Sequence, residues 1–384
     1  MKKILVIHTK YKNIGGEDVA VKSEINLLKK YYEVEVLYLQ NNYKNILSLI
    51  FSFLFNSNLN SNKELKKVIK VFKPDFAYIH NTWFKASLGI FKILEKNNIH
   101  IILKLHNFRY FCTNTYFTKK HLNNNYCQAC GMNEIKSGFL NKYFRESLLK
   151  SIFMIRFGKK YYKILKTQNL KIIVLTQFHI NFLENLAFDQ SKIYKSLNFI
   201  DLYDRETLTE VGNNSIVYAG RISNEKGVEN LIESFLKSNL NTFTLKIIGD
   251  GPDFNFLSEK YKSSPKKIIF YGQKTNKEVL NEIQKSKAVV TATRLYEGQP
   301  TLLCEASSLG IPSIFPNTGG INEFFPPDYS LKFEQFNYSD LIQKLNLLDD
   351  IQLITDIGQQ NKKYLINLLN EKDMIENFER ILNE

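Results

Sequence analysis

The sequence predicts an α/β protein made of two consecutive parallel-sheet units. Three observations carry this expectation. Short apolar runs recur along residues 1–200, alternating with stretches of helical period. Strands covered by helices on both faces need that pattern. A polar, acidic stretch at 201–214 interrupts it, and the same alternation restarts at residue 215. The chain of 384 residues is long enough for two or three domains with their own cores. Its 44% hydrophobic and 23% charged content is that of an ordinary soluble globular protein.

In the first half, residues 4–8 read as a strand buried on both faces. A loop at 9–15 leads through Gly15, Gly16, Glu17 and Asp18 into a helix at 19–30. Glycines at a strand-to-helix turn let the backbone approach a ligand closely. The pair is not a dinucleotide fingerprint, because no G-x-G-x-x-G is present. Further strands are expected at 34–39, 76–80, 101–105 and 172–175, with a helix around 63–72. Two of these strands end in His-Asn, at His80-Asn81 and His106-Asn107. The carboxyl ends of strands are where open α/β sheets bind ligands.

In the second half, a strand at 215–219 precedes GRISNEKG and a helix at 228–236. Arg221 and Lys226 then stand over one crevice, a planar fork and a point charge suited to phosphate oxygens. Strands follow at 244–248 and 268–271, ending at Gly249 and Gly272, then a helix at 276–286 and a strand at 288–291. The stretch TRLYEGQPTLLCEASSLGIP presents Glu297, a turn with Gly298 and Pro300, and Glu305. Pro300 is expected at the first helical position, with Gly310 and Pro312 as the stop. Glu297 then lies in the loop and Glu305 inside the helix. The N–H groups near Thr301 and Leu302 would favour a phosphate. Glu305 could accept from a pair of hydroxyls, as a ribose offers them. A short strand at 313–315, the turn at Gly319-Gly320 and a helical tail from 338 complete the chain.

Glu297-x7-Glu305 with Gly310-Ile311-Pro312 resembles the signature of retaining GT-B glycosyltransferases of the family 4 type. IGGEDVAVKSEINLL, KLHNFRYFC, YAGRISNEKGVENLI and the Gly319-Gly320-x-x-Glu323 turn match that family in its order. The resemblance covers nearly the whole chain. It implies two Rossmann-like domains facing an interdomain cleft: residues 1–200 for the acceptor and 201–366 for the nucleotide sugar. A final helix at about 367–384 would cross back to the first domain. By resemblance, Glu305 takes the ribose hydroxyls, Arg221 and Lys226 the donor diphosphate, and Glu297 and His106 the sugar. Gly15, Gly16, Gly249, Gly272, Gly298, Thr301 and Leu302 would line the donor. Where the family has Gly-Phe-Gly after the first acid, this chain has Gly298-Gln299-Pro300, which puts the sugar contacts there in doubt. The implied reaction is metal-independent transfer from a nucleoside-diphosphate sugar to a glycan or a lipid-diphosphate-linked acceptor, in surface polysaccharide assembly.

Charge and cysteines add a second layer. Residues 1–200 hold 32 Lys and Arg against 12 Asp and Glu, whereas residues 201–384 hold 20 against 26. A first half that basic is expected to face something anionic. A membrane surface is one candidate, with ILSLIFSFLF at 46–55 and the aromatic, basic stretch 139–166 on the facing side. Ten apolar residues cannot span a bilayer, which takes about 20, and MKKILVIHT does not read as a signal peptide. The expected place is therefore the cytoplasm, peripheral at the inner membrane face. Nucleic acid is the other candidate, but neither a stacking platform nor a recognised module is present. Cys112, His121, Cys127 and Cys130 offer three sulfurs and one nitrogen to a structural zinc. The 14 residues between Cys112 and Cys127 are unlike paired knuckles, and free thiols or a redox-labile pair are the plainer reading. Some family 4 enzymes have a similar Cys-bearing loop. Cys304 reads as a buried small residue. The rival readings are a sugar epimerase or phosphorylase of the same architecture, or a non-catalytic basic binding protein. The first would not use Arg221-x4-Lys226 with Glu297-x7-Glu305 in this arrangement.

Overall fold

The computed structural model describes residues 1–10, 16–40, 56–82, 86–108, 110–111, 148–200 and 213–384. The expectations on Gly15, on 46–55, on 139–147, on most of the 201–214 stretch and on Cys112, His121, Cys127 and Cys130 lie outside these residues. The chain divides into two compact units, Met1–Phe199 with Glu371–Glu384, and Ile200–Asn370.

The first unit is built on β1 (Lys3–Lys10), β2 (Glu33–Gln40), β3 (Phe76–Asn81), β4 (His100–Leu105), β5 (Lys171–Val174) and β6 (Ile193–Lys195). They form one sheet of order β2-β1-β3-β4-β5-β6, and every pairing is parallel. Ile4, Leu5, Val6 and Ile7 are fully buried, because helices cover both faces of a parallel sheet. The helices are α1 (Gly16–Leu28), α2 (Leu59–Phe72), α3 (Gly89–Lys96), α4 (Leu148–Thr167) and α5 (Gln177–Asn185). Asn58 and Thr176 cap α2 and α5 with side-chain oxygens, which satisfies N–H groups that helix starts leave without partners.

The second unit holds β7 (Asn213–Ala219), β8 (Thr244–Ile248), β9 (Lys267–Gly272), β10 (Ser286–Val290), β11 (Ser313–Asn317) and β12 (Lys332–Glu334). Their order is β12-β11-β10-β7-β8-β9, again all parallel. Its helices are α6 (Val228–Lys237), α7 (Phe254–Lys260), α8 (Asn276–Gln284), α9 (Thr301–Ser308), α10 (Tyr338–Asn346) and α11 (Ile351–Leu368). Thr275 and Glu278 form a reciprocal capping box at the start of α8.

The last helix, α12 (Glu371–Asn383), packs on the first sheet. Phe378, Ile381 and Leu382 share a core with Ile4, Val6, Val21, Tyr78 and Ile102. Glu379 accepts from Tyr32 Oη at 2.6 Å and from Lys2 Nζ at 2.5 Å.

Several boundaries differ from the sequence expectations. Strand β7 takes in Asn213 and Asn214, two polar residues read as linker, because their backbone extends the ladder whatever the side chains do. Ser286 belongs to β10 rather than to the preceding helix. Strand β12 and helices α3 and α7 are short elements that no pattern announced. Pro300 is the N-cap of α9 and not its first residue: its ψ of 85° is not helical. Cys304 N–H donates to the Pro300 carbonyl at 3.0 Å, so the proline starts the helix without losing a hydrogen bond.

Candidate functional site

In the second sheet β7 and β10 are neighbours, and the chain runs outward from them in opposite directions. The loops after these two strands therefore part, and ligands of open parallel sheets enter at such a switch point. Lys226 sits in a 3-10 turn, Asn224–Lys226, after β7. Glu297 sits in the loop between β10 and α9. Lys226 Nζ donates to Glu297 Oε1 at 2.5 Å, and Thr293 Oγ1 donates to the same oxygen at 2.9 Å. The loops are tied a second time by Arg294, whose N–H donates to the Glu225 carbonyl at 3.0 Å and whose Nη1 donates to Asn224 Oδ1 at 2.6 Å.

A third loop reaches the same residue. Gly320 N–H donates to the Glu297 carbonyl at 2.9 Å. Gly319 has φ +58°, and a Cβ there would lie 2.4 Å from the Glu297 carbonyl oxygen. Only glycine gives both that backbone and that approach, so the Gly-Gly turn after β11 holds Glu297 in place.

Glu305 lies on α9 and is buried, with 6% of its surface exposed. Asn276 Nδ2, at the start of α8, donates to Glu305 Oε1 at 3.1 Å. Burial raises the Glu305 pKa above the ordinary carboxyl value, and the Asn276 hydrogen bond opposes the rise. Asn361 of α11 donates to Ser307 of α9, which fixes α9 from behind. Thr301 and Leu302 form the half-exposed first turn of α9. Cys304 is fully buried.

Arg221 is exposed, and its guanidinium has no hydrogen-bond or ion-pair partner among the described residues. Gly249 continues the sheet edge: its N–H donates to the Gly272 carbonyl at 2.8 Å, while Gly220 N–H donates to the Ile248 carbonyl at 2.9 Å. A Cβ on Gly249 would lie 1.9 Å from the Gly220 carbonyl oxygen. The second unit thus joins Lys226 directly to Glu297. Arg221, Gly249 and Gly298 lie on loops, Gly272 ends β9 and Glu305 lies on α9; among the described residues the Arg221 and Glu305 side chains make no hydrogen bond to that pair. Thr293 and Asn276 were not expected from sequence. A threonine four residues before Glu297 was a weak signal, and Asn276 had none.

In the first unit, His8, His80 and His106 stand at the carboxyl ends of the adjacent strands β1, β3 and β4. His80 Nδ1 and His106 Nε2 are 2.9 Å apart, and the two rings stack at 5.2 Å. His8 Nε2 lies 2.8 Å from Asp18 Oδ1. A small cavity is lined by Glu17, His80, Asn81, His106, Asn107 and Tyr110. Burial, with help from the Lys104 charge, holds both His80 and His106 well below the ordinary histidine pKa, so both rings are neutral near pH 7. Gly16 opens α1 beside this group. Beneath it Lys104 Nζ, fully buried, donates to both oxygens of Glu24 at 2.8 and 3.0 Å, and Tyr78 Oη donates to Glu24 Oε1 at 2.7 Å. Among the described residues, no group of three or more His, Cys, Asp or Glu is placed to hold a metal ion. No described helix is long and apolar enough to cross a membrane.

Residues 200–364 match the family described as glycosyl transferases group 1. The chain is 27% identical over 154 residues to the amylovoran biosynthesis glycosyltransferase AmsD of Erwinia amylovora, covering 38% of this chain and 42% of that one. It spans less than half the length of the curated relatives it matches. Among solved structures, a glycosyltransferase from Rickettsia africae superposes with a TM-score of 0.67 at 17% identity, over 99% of this chain and 97% of that one. HepE of Anabaena in complex with UDP-glucose superposes with a TM-score of 0.68 at 13% identity, over all of both chains. The fold is thus that of GT-B glycosyltransferases, two parallel-sheet Rossmann-like units, and the match to the glycosyl transferases group 1 family is confined to residues 200–364.

Proposed function

We propose that this protein is a retaining glycosyltransferase that moves a sugar from a nucleoside-diphosphate sugar to a glycan or lipid-diphosphate-linked acceptor during surface polysaccharide assembly. The observation that carries the reading is the meeting of Lys226 and Glu297 at the switch point of the second sheet, with Glu305 buried on α9 just beyond. A cation, the open first turn of a helix and a buried carboxylate match a diphosphate and a ribose. HepE, of the same fold, was crystallised with UDP-glucose, and AmsD is named for polysaccharide biosynthesis.

In this reading Lys226 and Arg221 hold the diphosphate, and the N–H groups of Thr301 and Leu302 complete its cradle. Glu305 accepts from the ribose hydroxyls. Glu297 and His106 position the sugar. The bond from the anomeric carbon to the diphosphate oxygen breaks, and the acceptor hydroxyl bonds to that carbon on the same face. The acceptor proton passes to the leaving phosphate oxygen. The protein's main contribution is a fixed positive field for the charge that grows on the diphosphate. Those cations and backbone dipoles do this without a metal in the proposal. The basic first half would hold the protein against an anionic membrane face from the cytoplasmic side.

Thermal stabilisation by UDP-, GDP-, dTDP- and CMP-sugars tests the donor site, in the wild type and in Glu305→Ala. A shift with one nucleotide, lost in the variant, supports the reading and names the base. No shift with any donor in the folded wild type counts against it.

A further inference from the structure

His80 Nδ1 and His106 Nε2 lie 2.9 Å apart, and at that distance one proton lies between them. Two arrangements meet this condition. Either His80 donates from Nδ1 and His106 Nε2 accepts, or His106 donates from Nε2 and His80 Nδ1 accepts. The far nitrogen of His80 decides between them. His80 Nε2 is buried and has no hydrogen-bond partner among the described residues. In the second arrangement it carries a buried N–H with nothing to receive it, the costlier and rarer kind of orphan. In the first it is a bare ring nitrogen packed among rings, with Tyr78 at 4.4 Å and His8 at 6.3 Å between centroids.

With Nε2 of His106 taken up by His80, the ring nitrogen left for a ligand is Nδ1. We propose that His80 is a positioning residue that holds His106 in the neutral tautomer protonated on Nδ1, so that His106 offers the donor sugar a hydrogen-bond donor and not a base. The sugar contact rests on the functional reading above; the tautomer does not. A proton added to His106 Nε2 would face the His80 N–H head to head, so that nitrogen resists protonation while the contact holds.

Nitrogen-15 spectra of histidine-labelled protein test this directly, with the six histidines assigned by single substitutions. The expected wild-type spectrum has His106 protonated on Nδ1 and bare on Nε2 near pH 7. In His80→Leu the proton moves to Nε2, the tautomer that free imidazole side chains prefer in water. In His80→Asn the side-chain amide N–H takes the place of the His80 Nδ1–H and restores the wild-type pattern. A wild-type His106 protonated on Nε2 would overturn the proposal. So would a His106 spectrum that is the same in His80→Leu as in the wild type.

Binding of UDP and of UDP-glucose as probes separates positioning from general damage. His80→Leu is expected to keep the Kd for UDP within about twofold and to weaken UDP-glucose by about tenfold, with partial recovery in His80→Asn. Equal loss for both probes would mean a merely structural histidine. If the wild type binds neither probe, the same comparison is made with the nucleotide and nucleotide sugar that stabilise it; binding of none of them makes the donor reading fail, and the histidine spectrum still decides the tautomer.

Discussion

Lys226 Nζ and Glu297 Oε1, from loops 71 residues apart in sequence, meet at 2.5 Å where the second sheet reverses its strand order. The proposed diphosphate cation is therefore engaged by the proposed sugar carboxylate. A nucleotide must draw Lys226 toward itself and away from Glu297.

Glu297→Gln is accordingly expected to bind free UDP about two- to tenfold more tightly, because the variant removes both a competitor for Lys226 and a negative charge near the diphosphate. Its sugar transfer should fall at the same time. Lys226→Met should weaken UDP by about tenfold or more, the worth of a charge-assisted hydrogen bond. Calorimetric titration with UDP measures both, and an unchanged Kd in Lys226→Met would remove that lysine from the site.

Glu305 is a buried carboxyl whose folded pKa is raised by burial. The folded chain then binds the proton more tightly than the unfolded one. The stability this brings is complete below the ordinary carboxyl value and is lost as pH rises through the raised value. Glu305→Gln should therefore be more stable than the wild type at pH 7 without ligand. About 1 kcal/mol corresponds to a gain of about 2–4 °C in Tm. The same variant should lose nucleotide stabilisation, since the ribose hydroxyls lose an anionic acceptor. Thermal melts at pH 5 and pH 8 check the sign: the gain should be larger at pH 8.

Gly319→Ala places a Cβ 2.4 Å from the Glu297 carbonyl oxygen at a backbone of φ +58°. The loop must shift and take Glu297 with it. The expected cost is about 1–3 kcal/mol in urea unfolding, with a loss of nucleotide-sugar binding beyond what that destabilisation explains. Gly319→Ala with full binding would show that the turn does not position Glu297.

In the first unit, Lys104→Met leaves the buried Glu24 carboxyl with the Tyr78 hydroxyl as its side-chain partner among the described residues. Breaking one side of a buried pair costs about 3–5 kcal/mol. The double variant Lys104→Met with Glu24→Gln should recover a large part of this, because no uncompensated charge remains. Urea unfolding of the two variants makes the comparison.

The sequence by itself determined the fold class, the order of the longer strands and helices, and the positions of Lys226, Glu297 and Glu305 on loop, loop and helix. These features are local: an unbroken apolar run means a strand covered on both faces, and glycines and acids at strand ends mark the binding edge. It also marked Gly319 and Gly320 as a turn, but not as the support of Glu297. Asn276 carried no pattern of its own, and Thr293 only its place four residues before Glu297, because a single side-chain hydrogen bond to a carboxylate leaves no periodic trace in the chain. Pro300 was legible as a helix start and not as a cap, since its fixed φ suits both positions and only ψ separates them. What only the tertiary structure decided is which strands are neighbours. That β7 lies beside β10, and β3 beside β4, puts Lys226 on Glu297 and His80 on His106. Such pairings depend on how the two faces of each sheet are covered and on closing long loops, and those are properties of the packed chain.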